Sequence, residues 1–111
     1  PYITSRADIN YMHGTPTPLF RFGISFNKLF DYLAAGKPVL SDFPCPYNPA
    51  VLLHASLCVD DPTAQNIAQA VTQAAAMERE QYNELCSNAE KAAVEYDFRN
   101  LTNKLLQVIN G

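Results

Sequence analysis

Short apolar runs in the first half of the chain give way to longer stretches in which apolar residues recur at helical spacing. The runs at residues 7–12, 39–41 and 57–59 are bounded by turn residues, which predicts three short strands. Residues 2–6 predict the end of a helix, and residues 50–55 predict a short helical turn. Strands that alternate with helices are typical of an α/β fold with a parallel sheet.

The second half of the chain predicts a run of three helices. Asp61 and Pro62 predict the N-cap and the first residue of one helix, and a charged break at residues 78–80 precedes another that runs to about Glu95. Asp97 predicts the N-cap of the last helix. We expect the apolar stripes of these helices to be buried and their charged positions to face solvent.

Residues 22–40, FGISFNKLFDYLAAGKPVL, predict a loop, a helix capped at both ends, and a strand. Ser25 predicts the N-cap, because its hydroxyl can accept a hydrogen bond from the first turn. Gly36 predicts a helix end in the left-handed conformation, and Pro38 follows where a helix cannot continue. At about 100° per residue, the helix has an apolar face of Phe26, Leu29, Phe30, Leu33 and Ala34 and a polar face of Asn27, Lys28 and Asp31.

Lys28 is unusual on this polar face, because a cation in the first turn of a helix opposes the helix dipole. One interpretation is that an anion binds at the helix N-terminus, where it would meet both free N–H groups and the Lys28 ammonium. The other is a surface ion pair between Lys28 and Asp31, which are three residues apart.

Residues 13–21 connect the first strand to this helix, and their glycine and prolines predict an irregular loop. In open α/β sheets, ligands bind at the carboxyl ends of the strands. His13 and Arg21 are therefore further candidate ligand contacts, although a lone loop histidine is more often only solvated and surface arginines are common. Residues 42–49, DFPCPYNP, predict a rigid surface loop.

A chain of 111 residues with a net charge of −3 fits a single domain. Its lysines and arginines form no basic cluster, which argues against nucleic-acid binding. Cys45, Cys58 and Cys86 are odd in number and widely spaced, which predicts neither a metal site nor a disulfide framework and favours the cytoplasm. No apolar run approaches the length of a membrane span. The chain begins without methionine, so we interpret it as a piece of a longer protein.

Residues 23–39, GISFNKLFDYLAAGKPV, resemble the donor-binding segment of family 4 glycosyltransferases, which have the GT-B fold. They are most similar to the bacterial capsule and O-antigen members, in which this segment runs G-I-S-P-N-K-L-F-(D/E)-Y-M-A-A-G-K-P. Many relatives carry two glutamates here, and this chain has Gly23 at the first position and Asp31 at the second. Phe26 stands where the subgroup has proline.

The resemblance implies the C-terminal part of a Rossmann-like GT-B domain that binds a nucleotide-diphosphate sugar, with a UDP-sugar favoured. It implies a cytoplasmic enzyme, at most peripheral at the inner face of the plasma membrane, that transfers a sugar in surface-polysaccharide synthesis without a cofactor or metal. An N-terminal domain outside this chain would bind the lipid-linked or saccharide acceptor. The chain alone would therefore hold no catalytic residue and would be inactive. The implied donor contacts are the backbone at Gly23 and Ile24, the helix N-terminus with Ser25, Asn27 and Lys28, and Asp31 on the ribose.

Two other functions fit the sequence. A non-catalytic α/β interaction module would bind no nucleotide and would use Lys28 and Asp31 only as a surface pair. A nucleotide-sugar epimerase would have the same overall fold, although the G-I-S-x-N-K pattern resembles the transferases. A sheet of about three strands would leave an edge unpaired, which predicts self-association.

Overall fold

The computed structural model describes residues 2–24, 26–44 and 46–111, and the predicted α/β class is confirmed within these ranges. A three-stranded parallel sheet is flanked by helices and followed by a run of helices. In chain order the elements are α1 (Tyr2–Arg6), β1 (Asn10–Met12), a 3-10 helix (Pro18–Phe22), α2 (Asn27–Ala34), β2 (Val39–Ser41), α3 (Pro49–Leu52), β3 (Ser56–Cys58), α4 (Ala64–Ala75), α5 (Arg79–Glu95) and α6 (Phe98–Ile109).

The strands lie in the order β1-β2-β3, with β2 in the middle and completely buried. β1 is shorter than predicted and begins at Asn10, whose N–H donates to the Pro38 carbonyl at 3.0 Å. Pro38 has no N–H with which to extend the ladder backwards, so the pairing stops there. β3 begins at Ser56, one residue earlier than predicted.

Helix α2 supplies Leu29 and Leu33 to the core, and neither side chain is exposed. The predicted apolar face is confirmed for these two residues, whereas Phe26 and Phe30 are half-buried and Ala34 is exposed. α2 packs against α5, which presents small side chains there and so allows a close approach. The other buried members of this core are Met12, Val39, Phe43, Ala50, Ala55, Ala89 and Ala92.

The two ends of α2 have different outcomes. The helix begins at Asn27 with Phe26 in the N-cap position and no side-chain cap, and the predicted cap Ser25 lies outside the described residues. The predicted C-terminal end is confirmed, because Gly36 has a φ of 67° and its N–H donates to the Leu33 carbonyl at 3.0 Å.

The predicted start of α4 is wrong. The N-cap is Thr63, whose side-chain oxygen accepts from the Asn66 N–H at 3.1 Å, and not Asp61. The Asp61 carbonyl instead accepts from the Thr63 N–H at 2.8 Å, which forms a tight turn before the helix. The predicted cap of α6 is confirmed, since Asp97 accepts from the Arg99 N–H at 2.8 Å.

The apolar stripe of α6 is not core, contrary to the prediction. Phe98 is 87% exposed, Val108 80% and Leu105 58%. The helix packs against α5 alone among the elements with substantial contacts in the described chain, which leaves its outer face uncovered. No described helix combines the length and the apolar character that crossing a membrane requires.

Candidate functional site

Two polar side chains come together at the carboxyl ends of the neighbouring strands β1 and β2. The parallel register pairs Met12 with Ser41, so the next residues, His13 and Asp42, leave the sheet side by side. Asp42 is only 1% exposed. A carboxylate at this depth requires hydrogen-bond donors around it.

Three donors surround the Asp42 carboxylate. Its Oδ2 accepts from the Tyr11 hydroxyl at 2.5 Å and lies 2.6 Å from His13 Nδ1. Its Oδ1 accepts from the Gly14 backbone N–H at 3.1 Å. The carboxylate therefore links the end of strand β1 to the loop that follows it.

These contacts set the charge of the cluster. Burial raises the pKa of the Asp42 carboxyl, and the hydrogen bonds from Tyr11, His13 and Gly14 lower it. The hydrogen bonds outweigh burial, so the pKa lies below its usual value. Asp42 is therefore ionised at neutral pH. The hydrogen bond to this carboxylate, together with burial and the negative charge, raises the pKa of Tyr11, which stays a protonated donor.

The ionised carboxylate also decides the tautomer of His13. A carboxylate can only accept hydrogen bonds, so Nδ1 of His13 must carry the proton that lies between them. In the neutral ring Nε2 is then unprotonated. The His13 side chain is 65% exposed, so its ring is fixed at one nitrogen while much of it remains open to solvent.

An open cleft of about 640 Å³ lies beside this histidine. We call it the His13 cleft. Lys28 and Asn27 approach it from the first turn of α2, and two half-buried aromatic rings, Phe20 and Phe26, form part of its wall. These rings pack against the buried Phe43, at centroid distances of 5.0 and 5.9 Å respectively. The described residues that line the cleft are His13, Gly14, Thr15, Phe20, Phe26, Asn27 and Lys28.

Asp31 does not share this cleft. It lines a smaller one of about 360 Å³ together with residues of α1 and the end of α2. Among the described residues, no ion pair joins Lys28 to Asp31, which contradicts the surface-pair interpretation. The two side chains therefore serve different surfaces of the same helix.

Three of the remaining candidates are described: Arg21 lies in the 3-10 helix, Gly23 and Ile24 lie between that helix and α2, and none of these three lines the His13 cleft. Gly23 has a φ of 112°, a conformation that favours glycine. The Ile24 side chain is half-buried against the core, which gives it a structural role. Arg21 is exposed, and its guanidinium carbon lies 4.6 Å from the ring centroid of Phe22. Ser25 lies outside the described residues.

Sequence reasoning missed Tyr11 and Asp42. Residues 42–49 were expected to form a surface loop, but Asp42 is buried there along with Phe43, Asn48 and Pro49. The interpretation of His13 as a merely solvated residue is also wrong, because its ring is bonded to Asp42. The available signal was position, since Asp42 directly follows a buried strand that is parallel to the strand before His13.

The described residues contain no group of three or more His, Cys, Asp or Glu side chains placed to hold a metal ion. Comparison with protein-family models, with curated proteins and with solved structures gave no significant match to this chain.

Proposed function

We propose that this chain is the donor-binding part of a nucleotide-sugar-dependent glycosyltransferase that acts in surface-polysaccharide synthesis. The observation that carries the proposal is Lys28 in the first turn of α2, lining an open cleft at the carboxyl edge of a parallel sheet. The resemblance of residues 23–39 to family 4 donor-binding segments supports the same function.

The diphosphate of the donor would bind at the N-terminus of α2. The first N–H groups of a helix have no intrahelical acceptors, and the helix dipole favours an anion there. Lys28 is exposed and has no ion-pair partner among the described residues. An anion in the cleft would offset the unfavourable position of this cation on the dipole.

The same contacts would assist the chemistry. Charge develops on the leaving diphosphate as the bond to the sugar breaks, and preorganised N–H groups and an ammonium stabilise such charge. Asp31 would accept hydrogen bonds from the ribose hydroxyls in its own cleft, and the backbone at Gly23 and Ile24 would approach the diphosphate. The acceptor, lipid-linked or saccharide, would be bound by a part of the protein outside this chain.

Calorimetric titration of the full-length protein with UDP, UDP-sugars and GDP tests the proposal. We expect Lys28→Ala to weaken UDP binding by about tenfold or more, because a hydrogen bond to a charged group contributes about 1.5–3 kcal/mol. Asp31→Ala should weaken it as well. Lys91→Ala and Asp60→Ala are matched controls, since both side chains are exposed and lie outside the two clefts.

Two results would overturn this function. One is the absence of binding by the folded full-length protein to any nucleotide of the panel. The other is an equal loss of affinity in Lys28→Ala and in the Lys91→Ala control, which would show that only overall charge matters.

The exposed apolar face of α6 favours a second candidate, an α/β interaction module whose partner is a second copy of the chain. Phe98, Leu101, Leu105 and Val108 recur at helical spacing and are exposed. The sequence predicts self-association through an unpaired sheet edge, and this exposed apolar face is a further surface for it. Light scattering should then give a dimer mass that Leu105→Asp reduces to the monomer mass, with Asn103→Asp as the polar-face control. A monomer at high concentration would exclude this candidate.

A further inference from the structure

The Asp42 carboxylate is held at both of its oxygens, and this makes it a rigid support for the His13 ring. Oδ1 is bonded to the Gly14 backbone N–H and Oδ2 to the Tyr11 hydroxyl. The side chain is nearly fully buried, so it cannot turn to bond water instead. His13 Nδ1 lies 2.6 Å from the same Oδ2.

We propose that Asp42 is a positioning residue that fixes His13 in the Nδ1–H tautomer, so that Nε2 accepts a hydrogen bond from a sugar hydroxyl in the His13 cleft. This inference rests on the proposed function and extends it, because it assigns His13 to the sugar part of the donor. A histidine ring nitrogen is protonated or not according to the hydrogen bond that the other nitrogen makes.

The chemistry of the cleft points to a phosphorylated sugar. Nε2 of the neutral ring supplies an acceptor, Lys28 supplies a cation and Asn27 supplies an amide, and all three residues line the same cleft. Hydroxyl groups donate hydrogen bonds and phosphate oxygens accept them, so a sugar diphosphate matches an acceptor beside a cation. A free phosphate or a nucleoside diphosphate offers no sugar hydroxyl in this part of the cleft and would leave Nε2 unused.

Asp42→Asn is the informative substitution, because the structure predicts how the amide would be oriented. The Gly14 N–H can only donate, so the amide oxygen must face it. The amide NH₂ then faces Tyr11 and His13 Nδ1, where two donors would meet unless His13 changes its tautomer. His13 therefore becomes the Nε2–H form, and the acceptor in the cleft is replaced by a donor.

Long-range proton–nitrogen NMR of the histidine side chains reads the tautomer of each ring directly. The chain has two histidines, and His54 is the internal reference because no side-chain hydrogen bond of its ring is found among the described residues. We expect Nδ1–H for His13 in the wild type and in Tyr11→Phe, and Nε2–H in Asp42→Asn, with His54 unchanged throughout. An Nε2–H wild-type ring, or an Asp42→Asn ring that keeps Nδ1–H, would overturn the proposal.

A binding comparison tests the sugar assignment. UDP is compared with UDP-glucose, UDP-galactose and UDP-N-acetylglucosamine on the full-length protein. Asp42→Asn should reduce the advantage of the preferred UDP-sugar over UDP by about fivefold to tenfold, on the scale of one hydrogen bond, and leave UDP affinity unchanged. Asp60→Asn, in an exposed loop, is the matched control.

His13→Ala keeps the test decisive if Asp42→Asn does not fold, because the His13 side chain is largely exposed and its removal leaves the core intact. It should remove the same sugar-dependent advantage. Equal losses for UDP and the UDP-sugar would overturn the sugar assignment. If the wild type binds no nucleotide, the proposed function fails and the sugar assignment fails with it, whereas the NMR result still decides the positioning role of Asp42.

Discussion

Gly14→Ala tests whether the packing beneath the His13 cleft is as tight as the structure indicates. A Cβ atom at residue 14 would lie 2.8 Å from Cδ1 and 3.0 Å from Cε1 of Phe43. Real Cβ atoms do not approach other atoms this closely, so either the ring or the loop must move. The Phe43 ring has no exposed surface and packs against Phe20 and Phe26, so it has little room to turn.

The magnitude follows from which of the two moves. Displacing a packed core ring costs about 1–3 kcal/mol. Displacing the loop instead weakens the bond from the Gly14 N–H to the Asp42 carboxylate, and a hydrogen bond to a charged group contributes about 1.5–3 kcal/mol. Both routes therefore lower the free energy of unfolding by about 2 kcal/mol, a large part of the stability of a domain this size.

Urea unfolding followed by circular dichroism measures the loss. The neighbouring Thr15→Ala is the control, since Thr15 is exposed and its truncation should change stability by no more than about 0.5 kcal/mol. A double-mutant cycle with Phe43→Leu isolates the contact, because Gly14→Ala should cost about 1 kcal/mol less once the ring is gone. An equal cost in both backgrounds, or a loss no larger than that of Thr15→Ala, would refute the reasoning.

Two further predictions concern stability. The pKa of Asp42 is lower in the folded chain than in the unfolded one, so the unfolded state binds more protons in acid. The contribution of Asp42 to the free energy of unfolding is therefore lost as pH falls below about 4. Urea unfolding at several pH values should show this loss, and an equal dependence of stability on pH in Asp42→Asn would contradict it. Gly36→Ala should lower the free energy of unfolding by about 1–2 kcal/mol, because Gly36 has a φ of 67°. The new Cβ would also lie 2.9 Å from Oε1 and 3.1 Å from Cγ of Glu90, an exposed side chain that can turn towards solvent. An unchanged urea midpoint would count against the strain.

Predictions that depended on neighbouring residues were the most successful. Gly36 ends α2 and Asp97 caps α6 because the partners of a cap lie within a few residues of it. The prediction of where α4 begins was wrong, and the reason is also local. Asp61 and Thr63 are both good caps, and the turn that uses the Asp61 carbonyl leaves Thr63 to cap the helix.

The site was harder to predict because its central contact joins residues far apart in the chain. His13 and Asp42 are separated by 29 positions, and only the register of β1 and β2 brings them together. A proline-rich segment after a strand reads as a surface loop, so the burial of Asp42 was not visible in its neighbours. Periodicity alone also cannot tell whether an apolar face is covered, which is why α6 was predicted as core.

Asp42 makes the fold and the candidate site depend on each other. The carboxylate satisfies a backbone N–H of the loop through Oδ1 and orients an exposed histidine through Oδ2. An exposed side chain normally loses conformational freedom when it binds a ligand, which weakens binding. Because Asp42 already holds the His13 ring, that loss would be smaller for the ligand proposed above. The structural cost is a carboxylate buried at the carboxyl end of β2, and the hydrogen bonds from its three donors offset that cost. A substitution at Gly14 should therefore disturb the orientation of His13 as well as the fold, although Gly14 contacts Oδ1 of the carboxylate and His13 contacts Oδ2.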